Sequence, residues 1–188
     1  MPLLVQDLSI PGPKLITPKR FQDARGFFCE TYNAQEFAAA GVDAVFVQDN
    51  HSLSVERGVV RGLHFQTAPH AQAKLIRVLK GSIRDVVLDI RAGSPTYGRH
   101  LTVDLDDQNG QQLFVPTGFA HGFCTLVPNT EVAYKVTDFY APDCDAGLLW
   151  NDPDLKIEWP DFAGASVSPK DAVLPRLAGF KSPFTFTA

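Results

Sequence analysis

The chain has 188 residues, of which 45% are hydrophobic and 20% are charged, and this composition is ordinary for a globular protein with one sizeable core. Its formal net charge of −4 argues against a broad phosphate-binding surface for DNA or RNA. No apolar run approaches the length of a membrane span. We therefore expect no nucleic-acid partner, no membrane partner, and a single domain over residues 1–188.

The cysteines Cys29, Cys124 and Cys144 are predicted to be reduced thiols. Their number is odd, they form no C-x-x-C pair, and no stretch before them has the pattern of a signal peptide. This usage is typical of a cytoplasmic protein. Buried, inert thiols are also commoner than reactive ones.

The N-terminal part of the chain, up to about residue 20, combines prolines with alternating apolar residues. This pattern is typical of an edge strand or a terminal arm. Residues 21–26 are predicted to form a turn that leads into a strand over residues 27–32. The clearest helix follows over residues 33–40, because Asn33 can cap its start, Glu36 completes a capping box, and a glycine suits its end.

From residue 45 onward the pattern alternates between short strands and turns, and fourteen glycines and fourteen prolines supply the turns. A strand is predicted over residues 45–48, followed by a polar loop over residues 48–52. Further strands are predicted over residues 75–79, 83–90, 101–105, 112–115, 123–126 and 132–136. Short strands at this spacing, without helices between them, indicate an antiparallel barrel or sandwich.

Two other segments of the chain are predicted from their polar residues. Residues 104–109 look like a calcium loop but lack acids where such a loop needs them, so we predict a hairpin turn. After Trp159 and Pro160 the chain becomes polar. Residues from about 160 to 188 are therefore predicted to be a helical extension, in which Ser168 opens a short helix.

The stretch RGLHFQ, residues 61–66, places one titratable side chain between two large apolar ones. On a β-strand, Leu63 and Phe65 would point to one face and His64 to the other. Histidine is the commonest general base in enzymes. A core histidine bonded to a backbone carbonyl is nevertheless the commoner case, so this stretch alone does not establish catalysis.

Two spaced motifs resemble those of the cupin superfamily, a small jelly-roll barrel. They consist of Gly58 and His64, and of Gly110, Pro116, Gly118 and His121. In metal-binding cupins the first motif continues with a second histidine and then a glutamate. Here Gln66 replaces that histidine, and residues 69–72 (PHAQ) contain no glutamate. We expect no metal, although His70 could substitute as a ligand.

Seven short motifs resemble, in the expected order, those of the dTDP-4-dehydrorhamnose 3,5-epimerase family. They are QDNHS (residues 48–52), RGLHFQ (61–66), PxGFAHGF (116–123), YK (134–135), LWNDP (149–153), IEWP (157–160) and SxKD (168–171). The match runs from about residue 21 to residue 171. The resemblance implies an all-β, cupin-type jelly-roll barrel with a few short peripheral helices, assembled as a homodimer.

The resemblance also implies a substrate and a reaction. The substrate is dTDP-4-dehydro-6-deoxy-D-glucose, which is converted without a cofactor to dTDP-4-dehydro-L-rhamnose for L-rhamnose synthesis. The 4-keto group acidifies the hydrogens on carbons 3 and 5, so that a base can remove them. The enolate must then be stabilised, and a separate acid must return the proton from the opposite face.

The resemblance implies roles for particular side chains. His64 matches the base, Asp171 its carboxylate partner, Tyr134 the acid, and Lys74 the cation near the enolate oxygen. Substrate-binding positions are matched by Arg25, Glu30, Gln48, Asp49, Asn50, Arg61, His121, Tyr140, Asp145 and Lys170. Asp145 stands where the family pattern often has a glutamate, so its reach is one methylene shorter. Without the family, Asp171 would be interpreted as an acid in the first turn of a helix.

Three other functions stay open. A sister enzyme on the same scaffold inverts only carbon 3 or only carbon 5, and the shared base and acid do not distinguish it. A metal-dependent cupin enzyme is disfavoured by the missing ligands. A sugar-binding cupin without catalysis would not need a base, its partner, an acid and a cation together.

Overall fold

The computed structural model describes residues 3–187, so Met1 and Pro2 of the predicted arm and Ala188 of the predicted extension lie outside the described residues. Two large β-sheets share one apolar core. The first sheet contains, in spatial order, β1 (Leu4–Asp7), β2 (Lys14–Thr17), β10 (Gln112–Val115), β7 (Lys74–Lys80), β12 (Thr130–Val136) and β5 (Gln48–Ser54). Its strand pairs are antiparallel.

The second sheet contains, in spatial order, β13 (Asp145–Gly147), β6 (Val59–Gln66), β11 (Phe119–Thr125), β8 (Ser82–Asp89) and β9 (His100–Asp106), with β14 (Ser166–Val167) parallel to β6. Apart from β1–β2 and β8–β9, neighbouring strands come from distant parts of the chain, which is the connectivity of a jelly roll. The predicted all-β jelly roll is confirmed. Over the described residues, however, the sheets form a sandwich and do not close into a barrel.

The core lies between the two sheets and follows the alternation of side chains along each strand. On β7, Ile76 and Val78 point into the core, whereas Leu75 points to the outer face. From the second sheet, Val87 and Phe123 pack against the same cluster. Polar side chains at these inward positions therefore lie between the sheets, where one end of the sandwich opens into a cavity.

The C-terminal residues cover the outer face of the second sheet. Phe180 and Phe184 pack edge-on against Phe65 of β6. The predicted helical extension is wrong, because over the described residues this segment contains β14, one turn of 3-10 helix at Asp171–Val173 and otherwise irregular structure. The short helix predicted to begin at Ser168 is confirmed as that turn, in which the N–H of Asp171 donates to Oγ of Ser168. Prolines recur along the segment, and each proline removes a backbone donor that a helix would use.

The predicted short helix is confirmed as α1 (Ala34–Ala39). Oδ1 of Asn33 accepts hydrogen bonds from the backbone N–H groups of Gln35 and Glu36, as an N-cap does. Phe37 anchors the helix to the outer face of the first sheet. A second turn of 3-10 helix, Pro142–Cys144, leads into β13.

The polar segment at residues 48–52 was predicted to be a loop, and the strand was predicted before it, at residues 45–48. The structure reverses this, since Gln48–Ser54 is β5 and pairs along its whole length with β12. The strand propensity of valine favoured residues 45–48. Val45 and Val47, however, have exposed side chains and lie outside the strand. The pairing with β12 decides the strand, and its inward positions carry polar side chains because they face a cavity.

Three smaller features complete the fold. β3 (Arg20–Asp23) and β4 (Gly26–Cys29) form a separate hairpin, so the strand predicted over residues 27–32 ends early. The turn after β9 joins strands of two different sheets, and its prediction as a hairpin turn is therefore wrong. None of the helices within residues 3–187 is long and apolar enough to cross a membrane.

Candidate active site

A cavity of about 420 Å³ opens between the two sheets at one end of the sandwich. One wall comes from β6 and β11, and the other comes from β5, β7 and β12, with residues 166–171 closing one side. Its polar lining consists of Ser52, Arg61, His64, Lys74, His121, Tyr134, Ser166, Ser168, Lys170 and Asp171. All four predicted catalytic residues therefore lie in one cavity.

His64 and Asp171 form an imidazole–carboxylate pair. Nε2 of His64 lies 2.7 Å from Oδ1 of Asp171, and Oδ2 of Asp171 accepts a hydrogen bond of 3.2 Å from the backbone N–H of Gly62. Gly62 has φ +128°, and a Cβ atom there would lie 2.6 Å from the Cα atom of Gly122 on β11. The glycine thus lets β6 approach β11 closely and turns its N–H toward the carboxylate.

The carboxylate of Asp171 is held in its ionised form. Burial alone would raise its pKa, but the hydrogen bond and charge of His64 and the N–H of Gly62 outweigh burial and lower the pKa. A carboxylate bonded to Nε2 leaves Nδ1 of His64 for the cavity and stabilises the imidazolium formed when His64 takes a proton. This arrangement is suited to a general base.

Lys74 enters the cavity from β7, on the opposite wall. Its Nζ donates a hydrogen bond of 3.3 Å to the backbone carbonyl of His64. Burial lowers the pKa of Lys74 from 10.5 to about 8, against the opposing charges of Asp85 and Asp145. The amine is therefore mainly an ammonium at neutral pH and can stabilise a developing oxyanion.

Tyr134 lies on β12, which pairs with β7 and faces the sheet that carries His64. Burial raises the pKa of its hydroxyl, the charge of Asp145 adds to the effect, and Arg61 opposes it. The phenol therefore stays protonated at neutral pH and can donate its proton. A protonated phenol and the imidazole–carboxylate pair thus lie on opposite walls of one cavity.

His121 lies directly opposite His64 in the pairing of β11 with β6. Its Nε2 is 2.9 Å from Oδ2 of Asp85, a fully buried carboxylate on β8. Sequence reasoning missed Asp85. The available signal was an acid at an inward position in an otherwise apolar strand, which is costly unless the acid has a partner.

A polar cluster adjoins the cavity at its mouth. The hydroxyl of Tyr140 donates 3.1 Å to Oδ2 of Asp145, Nζ of Lys170 pairs with the same oxygen, and the N–H of Tyr140 donates to Oε1 of Gln48. Asn50 accepts a hydrogen bond from Gln48 in turn. These residues line a second space of about 310 Å³ that shares His64, Lys74 and Tyr134 with the main cavity.

Three of the predicted binding residues lie away from the cavity of their own chain. Arg25 projects from the β3–β4 hairpin, with 90% of its side chain exposed, and pairs with Asp23. Glu30 follows β4 and does not line the cavity. Asp49 points to the outer face of β5 and pairs with Lys135 at 2.9 Å.

The position that carries a second metal-binding histidine in many cupins is used structurally in this chain. Nε2 of Gln66 donates to the backbone carbonyls of His70 and Phe139, and its Oε1 accepts from the N–H of Ala141. His70 pairs with Asp138 at 3.3 Å. These contacts fix the loop at the cavity mouth. Both the Nε2 and the Oε1 atom of the Gln66 side chain take part in them.

The fold is a jelly roll, and its cavity brings together groups suited to proton transfer. An imidazole with its carboxylate partner, a protonated phenol and an ammonium group line one cavity, and such a set is suited to a reaction through an enolate.

Comparisons with known proteins place the chain in a family. The profile of the dTDP-4-dehydrorhamnose 3,5-epimerase family matches residues 7–179. The enzyme of that name from Sinorhizobium fredii is 46% identical over 181 residues, which cover 96% of this chain and 93% of the relative. The chain therefore belongs to the dTDP-4-dehydrorhamnose 3,5-epimerase family, whose members are isomerases, and the resemblance drawn from the motifs is confirmed.

Solved structures agree with this assignment. The Bacillus anthracis 3,5-epimerase, crystallised with TDP and PPi, is 48% identical and superposes with a TM-score of 0.90 over 94% of this chain and all of that chain. The Legionella pneumophila enzyme in complex with dTDP-4-keto-L-rhamnose is 39% identical, with a TM-score of 0.93 over 99% of this chain and all of that chain. A 3'-monoepimerase from Streptomyces bikiniensis, at 34% identity and a TM-score of 0.86, covers 91% of this chain and 86% of its own length.

Proposed function

We propose that the chain converts dTDP-4-dehydro-6-deoxy-D-glucose to dTDP-4-dehydro-L-rhamnose by epimerisation at carbons 3 and 5. The observation that carries the proposal is the pair of His64 and Asp171, 2.7 Å apart, on the wall opposite Tyr134 in a single cavity. An acid on one side and a base on the other are what inversion at carbon requires, since the proton must leave and return on opposite faces.

Four residues of the cavity each have one role in this mechanism. Nδ1 of His64 removes the proton from the carbon next to the keto group, and Asp171 stabilises the resulting imidazolium. The ammonium of Lys74 stabilises the negative charge on the keto oxygen. Tyr134 then donates its proton to the opposite face of the carbon. His64 then loses its proton to solvent and Tyr134 regains one, so that the same steps can follow at the second carbon and complete the conversion. No cofactor is needed, because only protons move.

Charged and aromatic groups near the cavity mouth support binding of the nucleotide. Arg61 lies at the rim, where its Nε contacts Oγ of Ser54 at 3.3 Å, and its guanidinium is suited to a diphosphate oxygen pair. Lys170 adds a second cation. The ring of Tyr140, 58% exposed, offers a surface on which a sugar or base can stack. Asp145 orients both Lys170 and Tyr140. Its side chain, one methylene shorter than a glutamate, is therefore used for contacts within the protein.

We also propose a homodimer in which each subunit completes the site of the other. The β3–β4 hairpin exposes Phe21, Phe27 and Phe28, the last at 64%, and an isolated two-stranded hairpin is only marginally stable in water. Arg25 and Glu30 belong to this part of the chain and lie outside the cavity of the same subunit. A second copy would bury the phenylalanines and bring the two charges to its partner's substrate.

A cytoplasmic location is proposed on separate grounds. Cys29, Cys124 and Cys144 are free thiols in the structure. Free thiols suit a reducing compartment.

The test is proton exchange in heavy water. We would incubate the purified protein with dTDP-4-dehydro-6-deoxy-D-glucose and a chelator, then measure deuterium at carbons 3 and 5 by NMR. Deuterium at both carbons, with an L-configured product, is the expected result. Label and inversion at one carbon would replace the proposal by single-position epimerisation, the reaction class named for the Streptomyces bikiniensis relative. Loss of exchange with the chelator, restored by a metal, would indicate a metal-dependent enzyme instead.

A further inference from the structure

The segment that carries Asp171 is fixed on both sides of that residue. Before it, β14 pairs in parallel with β6, with Ser166 opposite Val59. After it, the backbone carbonyl of Pro175 and the backbone N–H of Leu177 bond to another part of the chain. An otherwise irregular segment has few backbone hydrogen bonds of its own, so these contacts determine where its side chains lie.

The LWNDP motif makes both of the contacts that follow Asp171. The N–H of Leu149 donates 2.8 Å to the carbonyl of Pro175. Asp152, which is 2% exposed, accepts the N–H of Leu177 on Oδ2 at 2.8 Å. Its Oδ1 accepts a hydrogen bond of 3.1 Å from the N–H of the residue two positions later. Both oxygens of this buried carboxylate are therefore bonded to backbone donors, as a buried acid requires.

The same stretch of chain also holds the strand that carries His64. Leu148, just before the motif, exchanges backbone hydrogen bonds of 3.1 and 2.9 Å with Leu63 of β6. Gly147 allows a close approach, because a Cβ atom there would lie 2.5 Å from the carbonyl oxygen of Leu63 and 2.8 Å from Cδ1 of Leu174. The stretch is thus bonded to the strand of the histidine on one side and to the segment of its carboxylate partner on the other.

We propose that Asp152 is a positioning residue that sets the distance between His64 and Asp171. Its carboxylate holds the chain just after the turn of Asp171 against the stretch that is bonded to β6, so both members of the pair are fixed to one piece of chain. Asp152 does not line the cavity and therefore acts through the pair. The proposal rests on the function proposed above, because it takes the pair to be the base of that reaction.

The first test is the steady-state kinetics of Asp152→Asn. Asparagine has one acceptor oxygen where aspartate has two, so one of the two N–H groups meets an NH₂ group instead. The bond to Leu177 should fail, because the other bond lies within a local turn. We expect kcat to fall about tenfold, since a small misplacement of a catalytic group slows the reaction. KM should stay within about twofold, because the imidazolium forms only after the substrate has bound.

A double-variant cycle separates positioning from a general loss of stability. If Asp152 acts through Asp171, adding Asp152→Asn to Asp171→Asn should slow turnover by less than about twofold further, because the pair is already lost. Full multiplication of the two single losses would overturn the proposal.

The matched control is Asp89→Asn. Asp89 is also buried, and its Oδ1 likewise accepts the N–H of the residue two positions later, but it does not line the cavity. This variant should lower stability and leave kcat unchanged. A fall in kcat as large as that of Asp152→Asn would assign the effect to stability alone and overturn the proposal.

A measurement without substrate distinguishes this proposal from the proposed function. In a crystal structure of Asp152→Asn, the distance between Nε2 of His64 and Oδ1 of Asp171 should lengthen from 2.7 Å to beyond hydrogen-bonding range, about 3.5 Å or more. An unchanged distance would overturn the proposal even if turnover slows. A parent protein that leaves the sugar unchanged would refute the proposed function, and the distance in the variant would still decide the positioning role.

A second variant, Leu174→Ala, covers the case in which Asp152→Asn does not fold. Leu174 is half-buried and lies close to Gly147, so its truncation loosens the same contact between the two segments. We expect the same pattern of lower kcat and little change in KM, with no further loss when Leu174→Ala is added to Asp171→Asn. Losses that multiply in that background would contradict the proposal, because this contact would then not act through the pair.

Discussion

The 2.7 Å contact between Nε2 of His64 and Oδ1 of Asp171 joins residues that are 107 positions apart in the chain. One strand and one short turn position it, since Gly62 supplies an N–H and Ser168 accepts the N–H of Asp171 at 3.0 Å. The pair therefore depends on the close approach of β6 to β11 and on the segment after β14. The chemistry of the pair involves two side chains only, but their relative position is set by the tertiary structure.

Asp171→Asn removes the charge that stabilises the imidazolium and fixes the tautomer of His64. We expect kcat to fall by about three orders of magnitude or more, by analogy with other imidazole–carboxylate pairs. The measurement is steady-state turnover, with thermal unfolding to confirm that the variant is folded. Glu131→Gln is the control, because it removes the carboxylate from the exposed pair with His51 on the outer face. Equal losses in both variants would contradict the role given to Asp171.

Tyr134→Phe removes the proposed acid and leaves the base in place. We expect His64 to continue removing protons, so deuterium still enters the substrate while net epimerisation slows by about a hundredfold or more. Both quantities are read from one NMR time course in heavy water. Tyr97→Phe, which alters a surface tyrosine outside the cavity, should change neither. Parent-like turnover of Tyr134→Phe would remove the tyrosine from the mechanism.

At the scale of single elements, β8 carries two buried acids with different purposes. Asp85 pairs with His121 of β11, whereas Asp89 ends the strand and organises the turn that follows. Arg91 donates from Nε and Nη2 to Asp89, and the hydroxyls of Ser94 and Thr96 donate to its Oδ2 at 2.6 Å each. Burial would raise the pKa of Asp89, but these hydrogen bonds outweigh it and lower the pKa to about 2.

Because the folded pKa of Asp89 lies below its unfolded value of 3.8, the stabilisation is present above pH 3.8 and is lost as the pH falls through 2. The shift corresponds to about 2 kcal/mol. We expect Asp89→Asn to lower the free energy of unfolding by roughly that amount at pH 7 and by about half as much at pH 3. Urea unfolding at the two pH values measures this, and a loss independent of pH would contradict it.

At the scale of the whole molecule, the proposed homodimer predicts that two inactive variants can complement each other. One variant carries Arg25→Ala and the other carries His64→Ala. If Arg25 serves the partner's site, each mixed dimer has one intact site, and co-expression should restore about a quarter of the parent activity. The two variants mixed as separately purified, non-exchanging proteins are the control. No recovery in a sample shown to contain mixed dimers would place Arg25 outside the partner's site.

Much of the fold and of the catalytic set was predictable from the sequence. Turn residues and short apolar segments indicated an antiparallel barrel or sandwich, the resemblance to a known family implied the jelly roll, and the cap at Asn33 located α1. His64, Lys74, Tyr134 and Asp171 were assigned through motifs, and the structure brings them into one cavity. These features could be predicted from the sequence because turns, caps and motifs depend on a few neighbouring residues in the chain.

Other features were decided only by the tertiary structure. The polar residues 48–52 form β5 because β12 pairs with them, although single-residue propensity favoured the valines before them. The C-terminal segment is not a helix, because prolines interrupt it and its aromatic side chains pack on a sheet from another part of the chain. The pairing of Asp85 with His121 was not predicted for a related reason, since the burial of Asp85 and its contact with β11 arise between strands that lie far apart in the sequence.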